Sequence, residues 1–140
     1  MPGHHTHDKI GVIITPVIAA VSIYTQQHVM TTIMVSVSFL CATYMFSPDL
    51  DLNSRIYRRW GLLRWIWLPY QHCIKHRSWL SHSGPISATI RLLYLCVFLL
   101  PFAWLAHFDL LTLLPYCGMI WLSVSLSDTA HLIADRIWRD

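Results

Sequence analysis

The sequence predicts an all-α, polytopic membrane protein with about four transmembrane helices in two antiparallel hairpins and an interfacial helical segment between them. Three observations predict it. Hydrophobic residues make up 55% of the 140 positions and charged ones 12%, a balance foreign to soluble domains, in a chain with room for one domain, residues 1–140. Apolar runs without an acid lie at about 10–26, 29–46, 86–106 and 110–127. The basic residues fall almost entirely between those runs.

The opening "MPGHHTHDK" is too short and polar for a signal peptide, so the first run is expected to stay as an anchor. About 17 residues rise only about 26 Å as helix, so a pair of soluble core helices is the alternative for the first two runs. The connections "QQH" (26–28) and "HFD" (107–109) are brief enough to force antiparallel neighbours. Between the hairpins, segment 47–85 contains "RRWGLLRWIWLPYQ". Rings and aliphatics interleaved with arginines suit the headgroup layer, and the same periodicity suits a buried hairpin helix. Arg91, within about two turns of the start of the third run, is expected to snorkel to the membrane surface.

Lys9, Arg55, Arg58, Arg59, Arg64, Lys75, Arg77, Arg136 and Arg139 occupy the amino end, the middle segment and the carboxyl end, and neither hairpin turn carries a basic residue. Positive residues stay inside. Both termini and segment 47–85 are therefore expected on the cytoplasmic face of a plasma or internal, thylakoid-type membrane. The net charge of +3 reads as orientation among membrane lipids, and nucleic acid is excluded as a partner. A membrane-protein partner or a homo-oligomer stays open. Cys41, Cys73, Cys96 and Cys117 form no C-x-x-C pair, which excludes a zinc ribbon or thioredoxin motif and leaves them as small buried apolar residues.

All seven acids are Asp, and four polar clusters fall on the face that the arginines select: "HHTHD" (4–8), "PDLD" (48–51), "HRSWLSHS" (76–83) and "DTAHLIAD" (128–135). Each abuts the end of a span, and a four-helix bundle brings such ends within about 10–20 Å. In the last cluster Asp128, His131 and Asp135 share one helical stripe. Two carboxylates with an imidazole suit zinc first, and manganese, iron or magnesium as well; as an isolated feature the cluster is also a helix-end or N-cap arrangement, with Asp128 at the cap. Asp49 and Asp51 follow a proline where a helix stops, as in a solvated turn or in a pair aimed at one cation. His76 and His82 flank Arg77, which suits an anionic substrate group. His7 and Asp8, next to the first span, are better placed than His4 and His5.

"PDLD", "HRSWLSHS" and "SDTAHLIAD" resemble the motifs of the bacterial membrane-bound metal-dependent hydrolases. Over nearly the full length the chain is similar to a group of cyanobacterial metal-binding membrane proteins. The resemblance implies His7 or Asp8, Asp49, Asp51, His76, His82, His131 and Asp135 as ligands, with Asp128 just before the last motif. It implies one or two divalent ions. The departure is an extra residue between His76 and His82, which turns one donor by about 100° if the segment is helical.

The expected function is hydrolysis of an ester or phosphoester, such as a lipid headgroup, at the membrane surface. Asp51 or Asp128 is expected as general base and Arg77 on the substrate's anion. The alternative is a non-catalytic metal-binding membrane scaffold or assembly factor, whose ion site would be closed. A transporter is disfavoured, because the spans hold no acid at mid-depth.

Overall fold

The computed structural model describes residues 4–76, 78–107 and 109–137, and within them it is helical without a strand. Six α-helices follow one another: α1 (His4–Tyr24), α2 (Val29–Met45), α3 (Arg55–Arg59), α4 (Leu68–Cys73), α5 (Pro85–Leu105) and α6 (Leu110–Ile137). Single 3-10 stretches cover Pro48–Asp51 and Gly61–Trp67. Among the described residues, three segments are long and apolar enough to cross a membrane: His7–Tyr24, Val29–Asp51 and Pro85–Leu105. The fourth apolar run has a different fate. It forms the front of a 28-residue helix that continues through "DTAHLIAD", so Asp128 lies inside α6 and caps nothing.

Both connections are tight, with Gln26 (φ 56°) and His107 (φ 53°) in the left-handed conformation that ends a helix. His28 then accepts a hydrogen bond from the backbone N–H of Met30 at 3.3 Å and caps α2. α1 packs on α2, α2 on α6, and α6 on α5. Small residues make the close approaches. A Cβ on Gly11 would stand 2.4 Å from Thr43 Cγ2, so α1 can meet α2 at that level only through a glycine. On α6, Ser123, Ser125 and Ser127 are buried. Ser123 donates to the Val35 carbonyl at 3.2 Å, and Ser127 and Thr43 share a hydrogen bond of 3.0 Å, the small-polar packing typical of helices that lack a hydrophobic drive to associate.

The middle segment is helical, as expected, but in short pieces and not as one continuous helix. Gly61 (φ 54°) and Pro69 break "RRWGLLRWIWLPYQ" into short turns. Trp67 and Tyr70 point inward, joining Phe46, Ile56, Tyr57 and Ala88 in the main apolar cluster, while Leu62, Leu63 and Trp65 stay exposed. Gln71 of α4 donates to the carbonyls of Leu50 and Leu52, both at 2.9 Å, and so fixes the "PDLD" turn from behind.

Two expectations about side chains fail. Arg91 does not snorkel: it is fully buried, its guanidinium bonded to Asp128 on α6, because an ion pair inside the bundle replaces the water it would otherwise reach. The four cysteines are not core residues either. All are exposed, because they lie on outward faces.

Candidate metal centre

α1 begins, α2 ends, α5 begins and α6 ends at one end of the bundle, and the histidines and aspartates of four segments meet there. His7 comes from α1 and stacks on His131 of α6 with ring centroids 4.0 Å apart. Asp135, one turn beyond His131, places Oδ1 3.1 Å from His7 Nε2 and Oδ2 3.6 Å from His131 Nε2. This i, i+4 relation is the stripe that the spacing predicts.

The "PDLD" turn supplies the next donors. Asp49 Oδ1 lies 3.8 Å from His131 Nε2. Asp51 points the other way, its side chain without exposure, and meets His76 Nδ1 at 2.9 Å and His82 Nδ1 at 3.8 Å. His76 and His82 are carried by the irregular stretch between α4 and α5, with rings 5.3 Å apart. Since no helix fixes their relative angle, the extra residue between them does not rotate one away from Asp51.

Among the described residues, three overlapping groups result: His7, His131 and Asp135; Asp49, His82 and His131; Asp51, His76 and His82. Within each, one ligand atom per residue lies within 4.8 Å of the others. Burial holds the His131 imidazole down to about 3, aided by the nearby charge of His7 when protonated, and burial likewise lowers His82. Burial thus favours the neutral form of both rings, the form a metal requires. Ser47 Oγ is 3.4 Å from His131 Nδ1 and Ser81 Oγ is 2.9 Å from His82 Nδ1. With Nδ1–H directed at Ser47, His131 Nε2 faces the carboxylates with a lone pair.

The fit of a cation is tested by the polar atoms left over. His131 Nε2 and Asp51 Oδ2 are buried without a hydrogen-bond partner. An orphan lone pair and an orphan carboxylate oxygen inside a protein are costly unless a positive charge meets them, and nitrogen and carboxylate oxygen together form a donor set for zinc and its neighbours. The residues fit a divalent metal.

Two predicted ligands are placed elsewhere. Asp8 turns away from His7 into a two-point pair with Arg59, at 3.0 and 2.5 Å. Arg59 also donates to the Tyr44 carbonyl at 2.9 Å, so the pair ties α1 to α2 and α3. Asp128 is fully buried and engaged through Oδ2 by Arg91 and by Ser87 Oγ at 2.9 Å. It lies outside the three donor groups described above and has no exposure. Arg77 lies outside the described residues. Sequence reasoning missed Ser47 and Ser81, although each directly precedes a motif residue or its loop.

The family model described as "Uncharacterized metal-binding protein (DUF2227)" matches residues 2–125. The chain belongs to this metal-binding family. The match takes in His7, Asp49, Asp51, His76 and His82, and stops short of His131 and Asp135. A protein of Aquifex aeolicus, called only "Uncharacterized protein", is 33% identical over 60 residues, which are 42% of this chain and 42% of that protein. The similarity thus spans less than half of the relative. No solved structure matches the chain.

Proposed function

We propose that this member of the metal-binding family is a four-span membrane protein, a single domain over residues 1–140, that holds a divalent cation, zinc first, at its cytoplasmic end and hydrolyses an ester or phosphoester in the headgroup layer. The observation that carries the reading is the convergence of seven His and Asp donors from four segments at one end of the bundle. Membrane embedding is supported by an inverted distribution of polarity. Ser81, Ser87, Ser123, Arg91 and Asp128 are fully buried, whereas Ile13, Val97, Phe102, Trp104 and Leu111 are 67–78% exposed. Such outward apolar faces belong in hydrocarbon.

In this reading His7, Asp51, His76, His82, His131 and Asp135 hold metal. A divalent cation there supplies Lewis acidity toward an ester or phosphoester oxygen. Asp51, walled in between His76 and His82, serves as ligand and not as base. Asp49 keeps 29% of its side chain exposed and can take a proton from a water at the rim. These donors form a belt where the apolar helices end, a position that favours a substrate presented at the membrane surface.

Purified protein in detergent, assayed against phosphoester and carboxylester panels, tests the activity. Turnover that Asp49→Asn abolishes while the metal load stays unchanged is the expected result. A metal-loaded protein without turnover on either panel would instead favour a scaffold whose ion clamps four segments together.

A further inference from the structure

We infer that the belt holds two divalent ions, one at each end, rather than one. The inference rests on the metal-binding reading above and concerns how this chain divides its donors. The terminal groups, His7 with His131 and Asp135, and Asp51 with His76 and His82, have no residue in common. Each has the same composition, two imidazoles and one carboxylate, a set that holds zinc or iron while leaving positions open for other ligands.

One four-coordinate ion uses about four donors, and seven are present. A single ion at either end leaves the other end's orphan uncompensated: at one end His131 Nε2, at the other Asp51 Oδ2, both buried and unpartnered. Supporting contacts are also built separately. His131 has Ser47 and the stacked His7 ring, and His82 has Ser81. Asp49 grouped with His131 of one end and His82 of the other is the remaining carboxylate, and it stands between the two sets. Two cations held side by side would suit a substrate with two anionic oxygens, which points to a phosphoester over a carboxylester, and would leave Asp49 free as the base at the rim.

Zinc titration of the chelator-stripped full chain in detergent, followed by desalting and metal analysis, tests this. About two ions per chain are expected from the division of donors. His7→Asn and His76→Asn should each retain about one, and the double variant none, with helical content by circular dichroism confirming that each variant is folded. Saturation of the folded wild type at about one ion, lost in both single variants, would overturn the two-ion assignment and leave the metal reading intact. No retained metal in the folded wild type would overturn both. Because the wild-type stoichiometry alone separates these outcomes, an unfolded variant leaves the test decided.

Discussion

His131 and Asp128 stand three residues apart on α6 and do different work. The histidine turns Nε2 toward Asp49 and Asp135, while the aspartate is absorbed by Arg91 and Ser87. Their shared stripe was visible in the sequence. The division between them was not, because Arg91 lies 37 positions away and a stripe does not reveal what faces it. Asp8 and His7 repeat the lesson: adjacent residues on a helix point about 100° apart, and Arg59, 51 positions on, takes the acid. Two predictions belong at this scale. His131→Ala should weaken zinc binding by more than about 100-fold, beyond the 10–100-fold loss typical of a mere supporting contact, as read by competition with a chromophoric chelator. Asp8→Asn should leave zinc affinity within about twofold, since its cost falls on a part-buried ion pair; a loss matching that of His131→Ala would return Asp8 to the ligand set.

At the scale of elements, hydrophobic runs made the long helices legible: α2 and α5 lie within a residue of the predicted spans, and α1 starts six residues earlier, at His4. The middle segment was less legible because its aromatic residues divide: Trp67 and Tyr70 turn into the core while Trp65 stays out, and Gly61 and Pro69 interrupt the period that would have sorted them. What holds α5 against α6 was also hidden. The Arg91–Asp128 pair joins α5 to α6 with no exposure of either side chain. Removing one partner strands a buried charge at a cost of about 3–5 kcal/mol, whereas replacing both with apolar residues can be neutral. Arg91→Met should therefore lower thermal stability sharply, and Arg91→Met with Asp128→Leu should recover most of it. Equal losses in the single and double variants would show that the pair is not what couples these helices. For α1 against α2, Gly11→Leu should separate the helices at Thr43 and cost about 1–3 kcal/mol, as overpacking does. It should also weaken zinc binding, since His7 lies one turn away on α1.

For the whole molecule, the arginine distribution and the donor belt support the same proposal from different starting points: the end that carries the donors faces water and the long apolar helices face lipid. Charge placement predicts a sidedness from the sequence, and the structure brings His7, Asp49, Asp51, His76, His82, His131 and Asp135 together at one end of the bundle. The exposed cysteines turn this into a measurement. Cys73 ends α4 in the middle segment, whereas Cys96 lies midway along α5 and Cys117 on the apolar part of α6, and all are exposed in the isolated chain. If lipid covers the long helices, a membrane-impermeant maleimide should label Cys73 in inside-out vesicles and not in right-side-out ones. Cys96 and Cys117 should react only once detergent has removed the bilayer, since a thiol in hydrocarbon is neither ionised nor reachable. Labelling of Cys96 and Cys117 in intact vesicles at the rate of Cys73 would mean that those apolar faces meet water or a soluble partner. In that case the belt would have to be reinterpreted as the mouth of a peripheral protein.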